Sequence, residues 1–345
     1  MGRKVTIEDV ARQSNASSAT VSLVLRQKPG ISPETRQRVL DAARSLGYQL
    51  RTPLTVSAIP VTRNIGLIVR ARSRAIDKDR SAVNSFYSWV VTGLDAAARQ
   101  QRLNLLYATI PVDQDNQPFE LPRHLLEQPL DGLLLVGSLN DETITEMVGG
   151  RAVPVVLVDA PARPTRFDVI ASDNEAGAYR GVSYLIGKGH RDIAFVGARL
   201  DANPNFGQRR VGYLRALREY NLTPYVANDD RVTDDVASAT LALLKRAPQI
   251  TAIFGSNDAF AIEALRAAQA QGHRIPDDIS VVGFDDIELS QQTLPALTTM
   301  AVDKVSMGRL AIQALVYRLA WPEAAITLTT LQPRLIERQS VRVRT

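Results

Sequence analysis

The first sixty residues alternate between apolar and polar positions at the spacing of short helices. Asn15 stands at the break between the first and the second predicted helix. Asn tolerates the left-handed backbone that closes a tight turn. Ser32 and Pro33 open a third helix, because Ser caps helices and Pro fits the first helical position. The pattern predicts a small three-helix unit. The predicted inward faces are Ile7, Val10 and Ala11, then Val21, Val24 and Leu25, and last Val39, Leu40, Ala43 and Leu46.

The second predicted helix has a small and hydroxylated outer face. Ser17 stands at its N-cap position, as Thr6 does for the first helix, where Asp9 is placed to complete a capping box. Its outward side chains are Ser18, Ala19 and Ser22. Such side chains suit a helix laid in the major groove of DNA, where they allow close approach to phosphates and base edges. The alternative is a helical hairpin without a ligand.

From residue 64 the pattern changes to short apolar runs that alternate with amphipathic helices. Continuous apolar runs are typical of parallel strands that are covered on both faces. The predicted strands are Ile65–Val69, Leu103–Ala108, Gly132–Val136, Val153–Val158, Ile193–Val196, Ala252–Phe254 and Ile279–Val282. The predicted helices are Tyr87–Gln101, Ala176–Ile186, Arg209–Tyr220, Val236–Arg246, Phe260–Gln271 and Val305–Leu319. This repetition predicts a doubly wound α/β fold, and the Pro-containing residues 161–164 predict a crossover between two lobes.

Charge is distributed unevenly along the chain. Residues 1–60 contain nine Lys and Arg against four Asp and Glu, whereas the remaining chain contains 32 residues of each sign. The whole positive excess therefore lies in the segment with the three predicted helices. That distribution is typical of a phosphate-binding surface and not of a uniformly basic protein.

The composition excludes several kinds of site and location. The 345 residues contain no Cys, which excludes disulfides, thiolate catalysis and thiolate metal sites. No apolar run is long enough to span a membrane, and the amino end lacks the apolar stretch of a signal peptide. These features predict a cytoplasmic protein of two or three domains.

The segment from Thr6 to Leu25, followed by Ile31–Arg36 and Ala42–Tyr48, resembles the DNA-binding headpiece of the lactose-repressor (LacI/GalR-type) family. The most specific part is the spacing of Ser17, Thr20, Val21 and Ser22. The resemblance implies that Ser18 and Ala19 read bases of operator DNA. The other implied DNA contacts are Thr6, Ser17, Thr20, Ser22 and Arg26. Leu23 and Arg26 depart from the residue types common in the family, so the operator sequence cannot be transferred from a relative.

Residues 49–63 are predicted to link the headpiece, residues 1–48, to the rest of the chain. In the resembling family such a linker forms a hinge helix on DNA and inserts a Leu into the minor groove. Ser57 stands at the position expected for that Leu, and Pro53 lies within the expected helix. Two alternatives stay open: Leu54 replaces the inserted Leu, or the linker is irregular.

Residues 64–345 resemble the periplasmic-binding-protein-like core of the same family. The matching segments are Asp131–Val136, Gly189–Gly197, Arg209–Tyr213, Asn257–Asp258, Ile275–Asp286 and Pro295–Thr299. The resemblance implies two Rossmann-like lobes joined by three crossovers, with a small-molecule effector between them. The first lobe is expected to comprise about 64–161 and 291–322, and the second about 162–290 and 323–345.

Polar residues follow several of the predicted strands, where open α/β sheets bind their ligands. Two carboxylates, an amide and a guanidinium at such positions suit the hydroxyl groups of a sugar. Two adjacent aromatic residues at the start of the first core helix are placed either to stack on a sugar or to join the core. By resemblance, the effector site comprises Phe86, Tyr87, Asp159, Arg209, Asn257 and Asp285.

An enzyme is disfavoured by the motifs that the sequence lacks. His124, His190 and His273 lie far apart and show no metal-ligand spacing. The run 187–189 fails the phosphate-loop spacing, and no G-x-S-x-G elbow occurs. A solute-binding protein of the transport type would share the core fold but has no use for a basic headpiece.

The sequence thus predicts a dimeric, non-enzymatic repressor of transcription that binds double-stranded operator DNA and a carbohydrate effector. No metal, cofactor or membrane partner is expected. The helices Tyr87–Gln101 and Val305–Leu319 are the predicted dimer surface. The alternative is a co-repressor-dependent regulator that senses a non-sugar ligand such as a nucleobase.

Overall fold

The computed structural model describes residues 5–25, 31–46, 48, 63–72, 85–113, 117–151, 153–161, 166–197, 203–227 and 235–344. The chain divides into two compact units, Met1–Val61 and Thr62–Thr345. The linker predictions for Pro53, Leu54 and Ser57, and the predicted DNA contact of Arg26, lie outside the described residues.

The described residues of the smaller unit form three helices, and local hydrogen bonds hold the starts of these helices. The helices are α1 (Ile7–Ser14), α2 (Ser18–Leu25) and α3 (Pro33–Ser45). Thr6 and Asp9 form a reciprocal capping box at the start of α1, and Asn15 ends that helix with a φ of 51°. Ser17 and Ser32 accept backbone hydrogen bonds at the starts of α2 and α3. The predicted caps and turn are confirmed, and the buried core consists of Val10, Ala11, Val21, Val24, Val39, Ala42 and Ala43.

Strands and helices alternate through the larger unit, as the apolar pattern predicted. The strands are β1 (Arg63–Arg72), β2 (Leu103–Val112), β3 (Gly132–Val136), β4 (Val155–Val158), β5 (Asp168–Ser172), β6 (Ile193–Val196), β7 (Tyr225–Ala227), β8 (Ala252–Gly255), β9 (Ser280–Asp285), β10 (Thr298–Ala301), β11 (Leu328–Leu331) and β12 (Arg334–Ile336). The helices are α4 (Ser85–Gln100), α5 (Arg123–Leu126), α6 (Asp141–Val148), α7 (Asn174–Gly187), α8 (Pro204–Glu219), α9 (Val236–Arg246), α10 (Asp258–Ala270), α11 (Leu289–Gln292) and α12 (Lys304–Ala320).

Two six-stranded sheets divide this unit into two lobes. The first sheet has the order β11-β5-β4-β3-β1-β2 and is parallel throughout. The second has the order β12-β10-β9-β8-β6-β7, with β12 alone antiparallel. Every residue of β3, β4, β6 and β8 is buried, as expected for parallel strands with helices on both faces. We call the first sheet with its helices, including α4 and α12, the first lobe, and the remainder, including α7, α8 and α10, the second lobe.

The predicted lobe boundaries are wrong, because the chain changes sheets later than expected. β5 pairs with β4 in the first sheet, so the chain is still in that sheet at Ser172, beyond the predicted crossover at 161–164, of which 162–164 lie outside the described residues. β10 pairs with β9 in the second sheet, and β11 pairs with β5 in the first. These short strands carry polar residues such as Asp168, Ser172 and Thr298, and therefore lack the continuous apolar run that marked the others. The chain still crosses three times, as the resemblance implied.

Helices α4 and α12, which the sequence predicted as a dimer surface, pack against each other within the first lobe. A Cβ atom on Gly93 would lie 2.2 Å from the carbonyl oxygen of Val305, and one on Gly308 would lie 2.2 Å from that of Val90. The two backbones therefore touch where both helices lack a side chain. Their outer faces carry Trp89, which is 39% exposed, and Tyr317, which is 54% exposed. Across the described part of the chain, helices with the length and apolar character needed to cross a membrane are absent.

Candidate functional site

The carboxyl ends of the strands bring the predicted effector residues together between the lobes. Asp159 follows β4 in the first lobe, and Asp285 ends β9 in the second. Both have positive φ values, 55° and 111°, which turn the chain sharply at the sheet edge. Helices α4 and α8 begin on the same side and supply Tyr87 and Arg209. The site therefore uses residues from both sheets, as expected for ligand binding in a doubly wound fold.

Arg209 and Asp285 form a buried ion pair in the second lobe. Nη2 of Arg209 lies 2.9 Å from Oδ1 of Asp285, and only 3% of the arginine side chain is exposed. Its Nε donates to Oδ1 of Asn174 at 2.8 Å, and its Nη1 donates to the carbonyl oxygen of Ser256 at 2.7 Å. The guanidinium also stacks on Phe284, with 3.8 Å from Cζ to the ring centroid. Protein acceptors thus take donors of all three nitrogens, so Arg209 chiefly orients Asp285.

Asp159 accepts hydrogen bonds from both lobes. The hydroxyl of Tyr87 donates to Oδ2 at 3.0 Å. Nδ2 of Asn205, on α8 of the second lobe, donates to Oδ1 at 3.3 Å and to the carbonyl oxygen of Asp159 at 3.0 Å. Burial raises the pKa of Asp159 to about 7, although Arg209 opposes that shift. Asp159 is therefore a contact between the lobes whose charge changes near neutral pH.

Lys304 makes a second contact between the lobes. It is the first residue of α12, and its Nζ donates to the carbonyl oxygens of Asp285 at 2.5 Å and Asp286 at 3.0 Å. The same nitrogen lies 5.7 Å from the ring centroid of Phe86. Burial lowers the pKa of Lys304, while Asp285 opposes that effect. Lys304 thus couples the position of α12 to the turn after β9.

Phe86 and Tyr87 join the core, which is one of the two roles that the sequence left open for this aromatic pair. Their rings meet edge to face with centroids 5.4 Å apart. Both side chains are buried, at 4% and 5% exposure, and both belong to the core of the lobe. Tyr87 also reaches Asp159 with its hydroxyl, and burial raises the pKa of that hydroxyl well above its ordinary value. Tyr87 therefore donates a hydrogen bond at neutral pH.

Asn257 and its neighbour Asp258 stabilise the edge of the second sheet. Oδ1 of Asn257 caps α10 by accepting from the backbone of Phe260 at 2.9 Å. Asp258 is fully buried and accepts from Thr299 Oγ1 at 2.5 Å and from the backbone of Ile287 at 2.8 Å. Burial, with the charge of Asp285, raises the pKa of Asp258 to about 8. Asn257 is half-buried at the carboxyl end of β8 and serves there as a helix cap.

Sequence reasoning missed three residues of this cluster: Asn174, Asn205 and Lys304. Asn174 follows β5, which the apolar pattern did not reveal. Asn205 lies next to the helix-opening pair Asn203-Pro204, which was a readable start signal for α8. Lys304 follows β10 and the capping residue Asp303, a start signal of the same kind.

The histidines take no part in a metal site among the residues that the structure describes, where no group of three potential metal ligands occurs. His190 is 1% exposed and contacts Thr251 Oγ1 at 2.9 Å through Nδ1. Its Nε2 donates to the carbonyl oxygen of Arg342 at 3.2 Å. Burial lowers the pKa of His190 to about 4, so the ring is neutral and attaches the carboxyl-terminal segment to the second lobe.

The outer face of α2 is open in the headpiece. Ser18 and Ala19 are exposed, and Ser22 is half-buried. Ser17 and Thr20 form a hydroxyl pair at 2.8 Å, with Ser17 also accepting from the backbone of Thr20. Thr6 is exposed, and its hydroxyl donates to Oδ2 of Asp9 at 2.8 Å within the capping box. Small exposed side chains therefore occupy the predicted base-reading positions.

Both the smaller and the larger unit of the chain are similar to known proteins. Residues 6–50 match "Bacterial regulatory proteins, lacI family", and residues 182–341 match "Periplasmic binding protein-like domain". The chain is 30% identical over 342 residues to catabolite control protein A of Priestia megaterium, which covers 98% of this chain and 99% of that protein. It is also 30% identical over 346 residues to the ribose operon repressor of Haemophilus influenzae. That match covers 97% of this chain and 98% of that protein. A solved complex of the transcriptional regulator CelR with cellobiose superimposes with a TM-score of 0.69 at 27% identity, covering 97% of this chain and 99% of that one.

Proposed function

The chain belongs to the lacI family of bacterial regulatory proteins, and on that premise we propose that it is a dimeric, effector-controlled repressor whose effector is a sugar held between the two lobes. The family consists of DNA-binding regulators of transcription and not of enzymes, which confirms the non-enzymatic prediction. The proposal concerns the residues, the ligand class and the assembly. We also propose that it acts in the cytoplasm, where operator DNA is accessible.

One observation carries the proposal: hydrogen-bond acceptors from both lobes converge on one cleft. Asp285 and Asp159 contribute carboxylates, and Oδ1 of Asn205 is buried without a hydrogen-bond partner among the described residues. The three guanidinium nitrogens of Arg209 already contact acceptors of the protein itself. A cleft rich in acceptors favours a ligand rich in donors, and neighbouring hydroxyls of a sugar fit that requirement. The names of two similar proteins, the ribose operon repressor and the CelR–cellobiose complex, point to the same ligand class.

Control of DNA binding follows from the contacts between the lobes. Asn205 joins Asp159, and Lys304 joins the turn at Asp285 and Asp286, so both contacts lie within the proposed effector site. A ligand that replaces or reinforces them stabilises one arrangement of the lobes over another. Differential binding to two arrangements is the thermodynamic requirement for an allosteric effect on operator affinity.

We propose that two headpieces read the two halves of an approximately palindromic operator, because a two-fold protein matches a two-fold DNA site. Ser18 and Ala19 on α2 would contact bases, whereas Arg36 and Arg38 on α3 would contact phosphates. The outer faces of α4 and α12, with exposed Trp89 and Tyr317, are the proposed dimer surface.

The experiment measures operator affinity of the full-length protein by fluorescence anisotropy, without ligand and with a panel of pentoses, hexoses, disaccharides and nucleobases. We expect one sugar to lower operator affinity and to raise the thermal midpoint of the core. Asp285→Ala is expected to abolish that response while operator affinity without ligand stays unchanged. Stronger operator binding in the presence of a nucleobase would instead identify a co-repressor-dependent regulator. No response to any sugar would contradict the proposed ligand class.

A further inference from the structure

The outer face of α2 carries one side chain that differs in kind from the others. Among the described residues of the headpiece, Leu23 is the one large apolar side chain that is exposed, at 42%. Its neighbours Val21 and Val24 belong to the headpiece core and are buried, whereas Leu23 takes no part in that core. The helix therefore has apolar residues on two sides, and folding of the headpiece uses one of them.

Leu23 lies on the same face of α2 as the residues that are proposed to read DNA. Residues four positions apart are neighbours on a helix, so Leu23 adjoins Ala19, and Ser22 lies beside them. Ser18, Ala19 and Ser22 all have short side chains. Leu23 consequently has the longest side chain of these four residues and can reach further from the helix axis than the others.

The partner of this face decides whether the exposure of Leu23 has a meaning. A single exposed Leu is ordinary, because apolar atoms contribute much of the surface of every folded protein. The headpiece, however, belongs to a family of DNA-binding regulators, and residues 1–60 contain nine Lys and Arg against four Asp and Glu. The excess of positive charge favours DNA over a second protein as the partner of the exposed helix face.

A leucine side chain restricts the groups of the DNA that it can contact favourably. It has no hydrogen-bond donor or acceptor, so placing it against a phosphate or a polar base edge would remove water from that group and replace no hydrogen bond. The major groove offers one apolar group, which is the C5 methyl group of thymine. A contact with that methyl group buries the side chain of Leu23 without this cost.

We propose that Leu23 is a specificity-determining residue whose side chain packs against the C5 methyl group of a thymine in each half of the operator. This inference rests on the proposed function, in which the outer face of α2 lies in the major groove. Cβ atoms four positions apart in a helix are about 5–6 Å from each other, whereas successive base pairs are about 3.4 Å apart. Leu23 and Ala19 therefore face different base pairs, and Leu23 adds a position to the sequence that is read.

The proposal gives a physical meaning to the departure of Leu23 from the residue types common in the family. A polar or basic side chain at this position offers hydrogen bonds to a base edge and selects bases by their donors and acceptors. Leu23 replaces such a contact by an apolar one. The operator of this protein should accordingly be distinguished by thymine methyl groups at the base pair that Leu23 faces.

The test begins with a library of duplexes that have a randomised central segment, from which the full-length protein selects its operator. Each thymine of the selected operator is then replaced by deoxyuridine, which removes the C5 methyl group and keeps the hydrogen bonds of the base pair. Fluorescence anisotropy measures the affinity. At one symmetry-related pair of thymines, we expect each replacement to weaken binding about fourfold, which corresponds to about 0.8 kcal/mol for one buried group of this size. Replacing both thymines of the pair should weaken binding about fifteenfold, because distant sites contribute additively.

Leu23→Ala is expected to weaken binding to the selected operator and to reduce the effect of replacing both thymines of that pair to less than about twofold. Leu23→Met keeps an apolar side chain and should keep part of the dependence on the methyl groups. The matched control is Gln37→Ala, at an exposed position on α3 where the amide donates to Asp41 at 3.1 Å, and it should keep the full dependence. Unchanged affinity for a duplex of unrelated sequence shows that each variant is folded.

Two outcomes would overturn this inference and leave the proposed function standing. The first is an operator in which deoxyuridine has the same effect on the natural chain and on Leu23→Ala at every thymine. The second is a Leu23→Ala variant that sediments as a monomer, because Leu23 would then contact a second copy of the chain and not DNA. The absence of sequence-specific binding to any duplex of the library would overturn the inference and the proposed function together.

Discussion

Hydrogen bonds hold both the headpiece and the proposed effector cleft, but in these two regions they join residues that lie very different distances apart along the chain. In the headpiece, the side-chain bonds that fix the starts of the helices join residues three positions apart, such as Thr6 with Asp9 and Ser17 with Thr20. In the cleft, the hydroxyl of Tyr87 reaches Asp159 across 72 positions, and Arg209 reaches Ser256 across 47. Because these bonds are local, the helix starts of the headpiece do not depend on residues from distant parts of the chain. Long-range bonds make the cleft dependent on the arrangement of two lobes.

The largest expected effect is that of Arg209→Ala, which tests the cleft and leaves the headpiece alone. Removing this partner leaves Asp285 buried without its ion pair, and such changes cost about 3–5 kcal/mol. We expect urea unfolding of the core to show that loss, together with the loss of the effector response. Arg218→Ala on the exposed side of the same helix is the control, with an expected change below about 0.5 kcal/mol. Equal effects of the two variants would contradict the assigned role of Arg209.

We expect a change of pH to alter the free energy of unfolding by a comparable amount, through the cleft residue Asp159. Burial raises the pKa of Asp159 from 3.8 to about 7. The folded protein therefore holds a proton that the unfolded chain has lost between these values, so stability falls as the pH rises from about 4 to about 7. Three pKa units correspond to about 4 kcal/mol at most. Urea unfolding at pH 5 and pH 7 should show a smaller difference for Asp159→Asn than for the natural chain.

Asp258 contributes in the same direction up to a pH of about 8, so Asp159→Asn should reduce the slope and not abolish it. Glu146→Gln, an exposed position in the same lobe, serves as the control. If Asp159→Asn kept the full slope between pH 5 and pH 7, the protonation of Asp159 would not be linked to folding.

A moderate effect is expected from Ser18 in the headpiece, where the choice of operator and not the stability should change. Replacement of Ser18 by Asn alters the hydrogen bonds offered to base edges, and a good base contact is worth about 1–3 kcal/mol of discrimination. Binding to a randomised operator library should select a different sequence. Arg38→Gln is the comparison, since loss of a phosphate contact should weaken binding to all sequences and reduce its salt dependence. The same selected sequence for Ser18→Asn would argue against base reading.

The smallest expected effect is that of Thr6→Ala, which removes the cap of α1. Loss of such a cap costs about 1 kcal/mol, because a backbone N–H at the start of the helix loses its acceptor. The headpiece transition, followed by circular dichroism in the isolated unit Met1–Val61 and in the full chain, should move to lower temperature. Effector binding to the core should stay unchanged, and a change there would break the separation between the two regions.

The contrast between local bonds in the headpiece and long-range bonds in the cleft explains which features the sequence could predict. The turn at Asn15 and the helix cap at Ser32 could be predicted, because each of these residues makes its hydrogen bonds within a few positions along the chain. Asp159, Arg209 and Asp285 were found by position after strands and by resemblance. Asn205 and Lys304 were missed, since their partners are placed beside them only when two sheets pack together. β5 was missed because the Asp168 and Ser172 at its ends interrupt the apolar pattern.

The repeated passage of the chain between the sheets determines how this molecule can be divided. The first sheet takes β1 to β5 and then β11, while the second takes β6 to β10 and then β12. Neither lobe is therefore encoded by one uninterrupted stretch, and no single cut in the gene liberates one of them intact. The headpiece, by contrast, is one uninterrupted stretch and is the natural piece to exchange between regulators. New sensors are better sought by altering cleft residues in place than by transplanting half of the core.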